Sequence, residues 1–305
     1  MITNLNPSSA IFLANTDRLE QSISDTTNEI SSGYRVNVAS DDPDQIETLL
    51  QLRTDEQQNT QIQSNLSSAT SDADSADTSL SAAIQLMDNA VSLATQGANS
   101  ITDAQGRQSI AQQVAAIQAE MVSYSQTQVT GRYIFSGDQD GSPSYQLDLT
   151  ATTGPAATTG VDQLSGAAAT RQIQNPAGGT FAASETAQQI FDAPGASVFA
   201  ALNSLRLNLL ANNTTGIENS IPALQAASAQ LNTSDAFYGN VENQVNQANT
   251  FASQYNTELQ TEMGNIQDAD VAQDATLLTQ GNTALQAAFQ AEGEMPKTSL
   301  FNYLG

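Results

Sequence analysis

An apolar stripe runs in unbroken heptad register from Ile217 to Ala269. Its members are Ile217, Ser220, Leu224, Ala227, Leu231, Ser234, Tyr238, Val241, Val245, Ala248, Ala252, Tyr255, Leu259, Glu262, Ile266 and Ala269. The spacing alternates between four and three residues, the pattern of a helical seam that needs a second seam to face. Leu66, Ala69, Ala73, Ala76, Leu80, Ala83, Met87, Ala90 and Ala94 supply it from the N-terminal part. The expected fold is mainly α: an elongated helical bundle or coiled-coil rod built from both chain ends, with a small β-rich inserted domain. Most seam residues are small, so helices approach closely but each residue buries little area. With 39% hydrophobic and 5% aromatic residues and no Trp, a slender bundle is expected rather than a thick core.

The pattern predicts a run of helices interrupted by one insert. Residues 8–30 form a helix with stripe Phe12, Thr16, Leu19, Ile23, Thr26 and Ile30, stopped by Ser31-Ser32-Gly33. Tyr34, Val36 and Val38 alternate as an extended stretch, after which Asp42 caps a helix with Pro43 at N1 and Gln45 at N3. That helix runs over about 43–96, roughly 80 Å at ~1.5 Å per residue. Another covers about 104–129 with stripe Ile110, Val114, Ile117, Met121, Tyr124 and Gln128, and Gly131 follows as a stop. Residues 138–196 are punctuated by Gly154-Pro155, Asn175-Pro176 and Pro194-Gly195 and read as an exposed β-rich insert, preceded by strand-like Tyr133-Ile134-Phe135. Helix resumes over 197–211 and from about 217, with Pro222 in the first turn and Gly239 allowing a close approach.

Heptad register fails near Asp268-Ala269-Asp270 and restarts in a new phase as Val271, Ala275, Leu278, Asn282, Leu285 and Phe289. A phase change marks a change of neighbour, and the equally isolated stripe of 8–30 is the natural mate. The expected division is 1–42 with 270–305 as a terminal helical domain, 43–137 with 197–269 as the rod, and 138–196 as the insert. The two terminal stripes are too sparse to offset the entropy of ordering two lone helices, so they are expected to fold fully only on assembly.

Charge and residue usage exclude several functions. Eight Lys+Arg stand against 32 Asp+Glu, a formal charge of -24, which repels nucleic acid and anionic membranes. Absence of Cys and His removes Cys nucleophiles, Ser-His-Asp triads and most transition-metal sites. No catalytic residue, cofactor site or metal site is expected. Asp41-Asp42-Pro43 is better explained by helix capping than by paired catalytic carboxylates. Asp72, Asp74 and Asp77 read as a solvated helix face, and Asp138-Gln139-Asp140-Gly141 as a tight turn, not a calcium loop. The early apolar run Ala10–Ala14 is too short for a signal peptide or a membrane span, so no cleaved signal is expected.

Four stretches resemble the flagellin superfamily, and within it the branch that joins hook to filament. Ile30-Ser31-Ser32-Gly33-Tyr34-Arg35-Val36 is similar to its "ISSG-x-R-I/V" signature, and Ser40-Asp41-Asp42-Pro43 to the junction branch's "SDDP". Gly131-Arg132-Tyr133-Ile134-Phe135-Ser136-Gly137 resembles that branch's "G-x-Y-I-F-S-G", and Ser299-Leu300-Phe301-Asn302-Tyr303-Leu304 its "SL-x-x-YL" ending. The likeness covers about 1–137 and 197–305; Tyr34, the low Lys content and Gly305 depart from the pattern. It implies a non-enzymatic, flagellin-like subunit of the bacterial flagellum, exported unfolded without a cleaved signal and bound at its C-terminal region by a cytoplasmic chaperone. Such subunits self-assemble into a ring between the first hook-associated protein and flagellin. The expected assembly contacts are Phe12, Leu19, Ile23, Ile30, Val271, Leu278, Leu285, Phe289, Leu300 and Leu304. Two rivals are a filament-forming flagellin and, more distantly, a carboxylate-dependent hydrolase housed in the insert.

Overall fold

The structure, a computed structural model, describes residues 7–166 and 169–294. They form α1 (Pro7–Ser32), α2 (Ile46–Ala98), α3 (Ala104–Ser125), β1 (Gln128–Val129), β2 (Arg132–Tyr133), β3 (Tyr145–Leu147), α4 (Gly154–Thr159), β4 (Val161–Gln163), β5 (Gln172–Gln174), β6 (Thr180–Ala182), α5 (Ala187–Phe191), α6 (Val198–Leu210), α7 (Thr214–Gln267) and α8 (Val271–Glu294). The chain divides into two compact units. One joins the residues up to Gln58 with those from Tyr255 onward; the other is Asn59–Gln254. Helices α2 and α7 contribute to both.

In the Asn59–Gln254 unit the two seams behave as the heptads require. Every member from Leu66 to Ala94 is buried, and so is every member from Ile217 to Ala252. All but Ser220, Ser234 and Ala252 belong to one core cluster. The helices run antiparallel: Asn59 Nδ2 donates to the Ala252 carbonyl at 2.8 Å, while Asp77 lies beside Asp235 farther along. Helix α3 packs on α6 and presents Ile110, Val114, Ile117 and Met121 to the same core. Its start is fixed by Asp103, whose carboxylate accepts from the Gly106 amide at 2.8 Å.

Helix α3 stops at Ser125 rather than 129, and Gln128 lies in a strand. The reason is Thr130-Gly131, with φ of 51° and 80°: two left-handed residues make the two-residue hairpin turn joining β1 to β2. Gly131 is thus a hairpin residue, not a helix stop. The strand ends at Tyr133, so Ile134 and Phe135 leave it and enter the core.

The insert is sheet-containing as expected and differs only in how much of it is buried. Its strands form two short antiparallel ladders, β3 with β4 and β5 with β6, with two short helices between and after them. It is not merely an exposed appendage. Tyr145, Val161, Ile173, Ile190 and Phe191 are buried within the helical core cluster. Polar side chains from the helices seal the junction: Gln118 Nε2 donates to the Thr159 carbonyl at 2.7 Å, and Asn203 Nδ2 to Thr158 at 3.0 Å.

Smaller corrections follow from the helix bounds. Helix α2 begins at Ile46, so Pro43 and Gln45 lie in the turn before it; Asp42 still accepts from the Gln45 amide at 3.3 Å. Residues 34–38 make one isolated bridge, Tyr34 to Asp268, instead of a strand. Helix α7 begins at Thr214, which puts Pro222 beyond its first turn. A Cβ on Gly239 would meet nothing within 4 Å, so this glycine permits no close approach. Asp72 is not solvated: it is buried and bonded to Arg132 and Arg171.

Candidate functional site

The unit holding both chain ends is built on α1 packed against α8. Phe12 and Phe289 meet edge to face with ring centroids 6.1 Å apart. Farther along, a Cβ on Gly281 would stand 2.9 Å from Ile23 Cγ1, so glycine is what lets the two helices close there. The pair is antiparallel, and the two out-of-phase stripes face each other.

The seal is incomplete. Leu19, Ile23, Ile30, Leu278 and Leu285 are only half-buried. Ile11, at 63% exposure, Leu13, Val271, Leu277 and Phe289, at 53%, stand largely in solvent. The buried members of the pair are Thr16, Thr26 and Asp274. The two threonine hydroxyls are satisfied inside their own helix, by the Phe12 carbonyl at 2.8 Å and the Ser22 carbonyl at 2.9 Å. Leu300 and Leu304 lie outside the described residues, as does the Ser299–Leu304 ending. Sequence reasoning missed Ile11, Leu13 and Leu277, which flank the stripes rather than belong to them. It also missed Asp274, a carboxylate in an otherwise apolar phase.

The first signature stretch acts as a clamp where α7 passes into α8. Gly33, with φ of +77°, ends α1 by donating its amide to the Glu29 carbonyl at 2.8 Å. The chain then turns onto the end of α7. The Arg35 amide donates to the Gln267 carbonyl at 2.7 Å, and the Ala269 amide to the Gly33 carbonyl at 3.0 Å. The Arg35 guanidinium bonds the Ile266 carbonyl at 2.7 Å and Asp42 at 3.0 Å, placing a cation on orphan carbonyls at a helix C-terminus. Asp41 closes the loop by accepting from the amides of Asn37 and Val38 at 2.9 and 2.8 Å. Ser31, Ser32, Gly33, Arg35, Asp41, Asp42 and Pro43 therefore form a structural joint rather than a chemical site.

The second signature stretch anchors the insert. Phe135 is fully buried between Phe191 and Tyr238, with ring centroids 5.8 and 6.1 Å away. Ser136, also buried, bonds Ser142 and Ser144. Arg132 reaches both Asp72 and Asp140 at 3.4 Å. Burial pushes the Asp72 carboxyl up, and the adjacent Arg132 pulls it part of the way back.

The titratable groups are arranged for packing. Burial raises the hydroxyls of Tyr145 and Tyr238, and Tyr238 Oη accepts from the Glu185 amide at 3.1 Å. In the insert, Asp148 is lowered by the Thr150 hydroxyl and neighbouring amides, the opposite of a poised general acid. Among the described residues, no three acidic groups have metal-site geometry.

Two family descriptions match the sequence: the bacterial flagellin N-terminal helical region over residues 3–140 and the bacterial flagellin C-terminal helical region over 221–304. Comparison with curated protein sequences gives no match. Solved structures share the fold. A flagellar hook-associated protein of Vibrio parahaemolyticus is 19% identical at a TM-score of 0.64, covering 75% of this chain and 100% of that one. Flagellar hook-associated protein 3 of Legionella pneumophila is 14% identical at 0.60, covering 73% and 99%. FlgL of Xanthomonas campestris is 15% identical at 0.58, covering 68% and 98%.

Proposed function

Because this chain belongs to the bacterial flagellin family, with both its helical end regions matching, we propose that it is the structural subunit joining hook to filament. Copies of the chain form a ring between the first hook-associated protein and flagellin. The observation that carries this reading is the α1–α8 pair: the two chain ends meet, yet leave Ile11, Leu13, Val271, Leu277 and Phe289 uncovered. An apolar surface of this kind on a pair this thin is completed by neighbouring subunits.

The proposed division of labour follows the five segments. Residues 1–42 and 270–305 form the inner layer, 43–137 and 197–269 the outer helical layer, and the outward side of 138–196 faces solvent. Phe12, Leu19, Ile23, Ile30, Val271, Leu278, Leu285, Phe289, Leu300 and Leu304 are the assembly contacts. The chain reaches its place by export through the flagellum, held beforehand by a chaperone on its C-terminal region. The subunit works by helical packing and catalyses no reaction.

Leu285→Asp tests the reading. It is expected to leave the Asn59–Gln254 unit folded, with far-UV helicity close to that of the parent, while a strain carrying it loses swimming. Normal motility with the variant would overturn the assignment of this face.

A further inference from the structure

We infer that the β5–β6 hairpin is a lid on the helical core, held closed by Arg171 pairing with Asp72 of α2 and able to open alone when that pair is lost. The assignment holds whether or not the chain forms a ring. The two strands are three residues each and pair with each other and with no other strand. Among the described residues, every hydrogen bond of 171–183 stays within 170–184 except that of Arg171 to Asp72. The Arg171 amide donates to Ser184 Oγ at 3.0 Å and the Ala183 amide to the Arg171 carbonyl at 2.9 Å, which closes the base of the hairpin on itself. Its apolar hold is small: Ile173 and Ala183 are buried, Phe181 is partly so, and Gln172, Gln174 and Thr180 stand in solvent. A two-stranded hairpin that buries so little is marginal by itself, so one ion pair decides whether it stays down.

Asp72 gives the pair its leverage. Its Oδ1 is buried and bonded to nothing among the described residues, so Oδ2 takes both guanidinium groups. Arg132 meets Oδ2 at 3.4 Å and is shared with Asp140, also at 3.4 Å. Arg171 is the closer cation and has no second acid among the described residues. Burial makes the charged form of Asp72 the costly one. Without Arg171 that charge is left with a shared cation, and water is the remaining source of compensation. Water reaches it when the hairpin lifts. A cavity of about 20 Å³ lies at the joint, bounded by Asp72 and Arg132 and by Arg171, Ala183 and Ser184 at the hairpin's base. Ala69, Ile134 and Tyr238 also line it and are uncovered with it.

Hydrogen exchange on the full chain tests the lid. Arg171→Gln is expected to speed exchange of 171–183 on the order of tenfold, with 198–254 unchanged. Adding Asp72→Asn is expected to bring 171–183 back to within about threefold of the parent, because no buried charge then needs a partner. Arg132 keeps Asp140 in that double variant. Exchange of 171–183 unaltered in Arg171→Gln would overturn the catch. Acceleration that Asp72→Asn does not reverse would overturn it too, since loss of packing by the arginine stem gives that result. Acceleration spread over 198–254, or failure of Arg171→Gln to fold, would overturn the lid, because hairpin and core would then open as one unit.

Discussion

Asp77 lies beside Asp235 across the seam between α2 and α7, two acidic side chains in one half-buried place. Burial raises the Asp235 carboxyl first and Asp77 raises it further. A folded pKa above the unfolded one means the folded chain binds more protons. Stability therefore rises as pH falls from neutral through the folded pKa, and the penalty stands in full above it. Asp235→Asn should remove that penalty at neutral pH. Discounted for the solvent that reaches this half-buried pair, the gain is on the order of 0.5 kcal/mol. Urea unfolding at pH 7 and pH 5 checks it: the variant should be the more stable at pH 7, with the difference shrinking at pH 5. Phe135 lies at the other extreme. Phe135→Ala empties a site between two aromatic rings and should cost about 3–5 kcal/mol in the same assay. Its burial was not legible as such, because Tyr133-Ile134-Phe135 reads as a strand; what buries it is α5 and Tyr238, distant in sequence. Asp72 was misread for a related reason. Its neighbours on α2 place it beside the seam, but Arg132 and Arg171 arrive from the hairpin and the insert, and no local pattern announces them.

At the scale of elements, periodicity carried most of the information. The N-terminal seam is buried as spaced and the C-terminal seam is buried from Ile217 to Ala252; beyond that only Leu259 is buried and Glu262 is exposed, and the phase break at Asp268–Asp270 is where α7 gives way to α8. Short elements were not legible. Helices α4 and α5 are too brief to show a period, although Thr186 and Gln189 form a capping box that the sequence already contained. The β1–β2 turn was hidden because Thr130 is no ordinary left-handed residue. Two glycines separate local propensity from packing. Gly239 lies inside α7 with open space around it, so Gly239→Ala should stabilise by up to ~1 kcal/mol. Gly281 also lies inside a helix, but a larger residue there collides with Ile23. Gly281→Val should speed hydrogen exchange in 7–32 and 271–294 while leaving 59–254 unchanged.

At the scale of the molecule, the Asn59–Gln254 unit has a continuous core and the unit of chain ends does not. The proposed function rests on that contrast: a subunit whose end helices leave apolar surface uncovered is proposed to finish its fold against neighbours. The measurement that tests this most directly is electron microscopy of a strain lacking the chain, paired with assay of its culture medium. The account predicts intact hooks without filaments and unpolymerised flagellin in the medium. Filaments still attached to the hooks would contradict it, as would bare hooks with no flagellin in the medium.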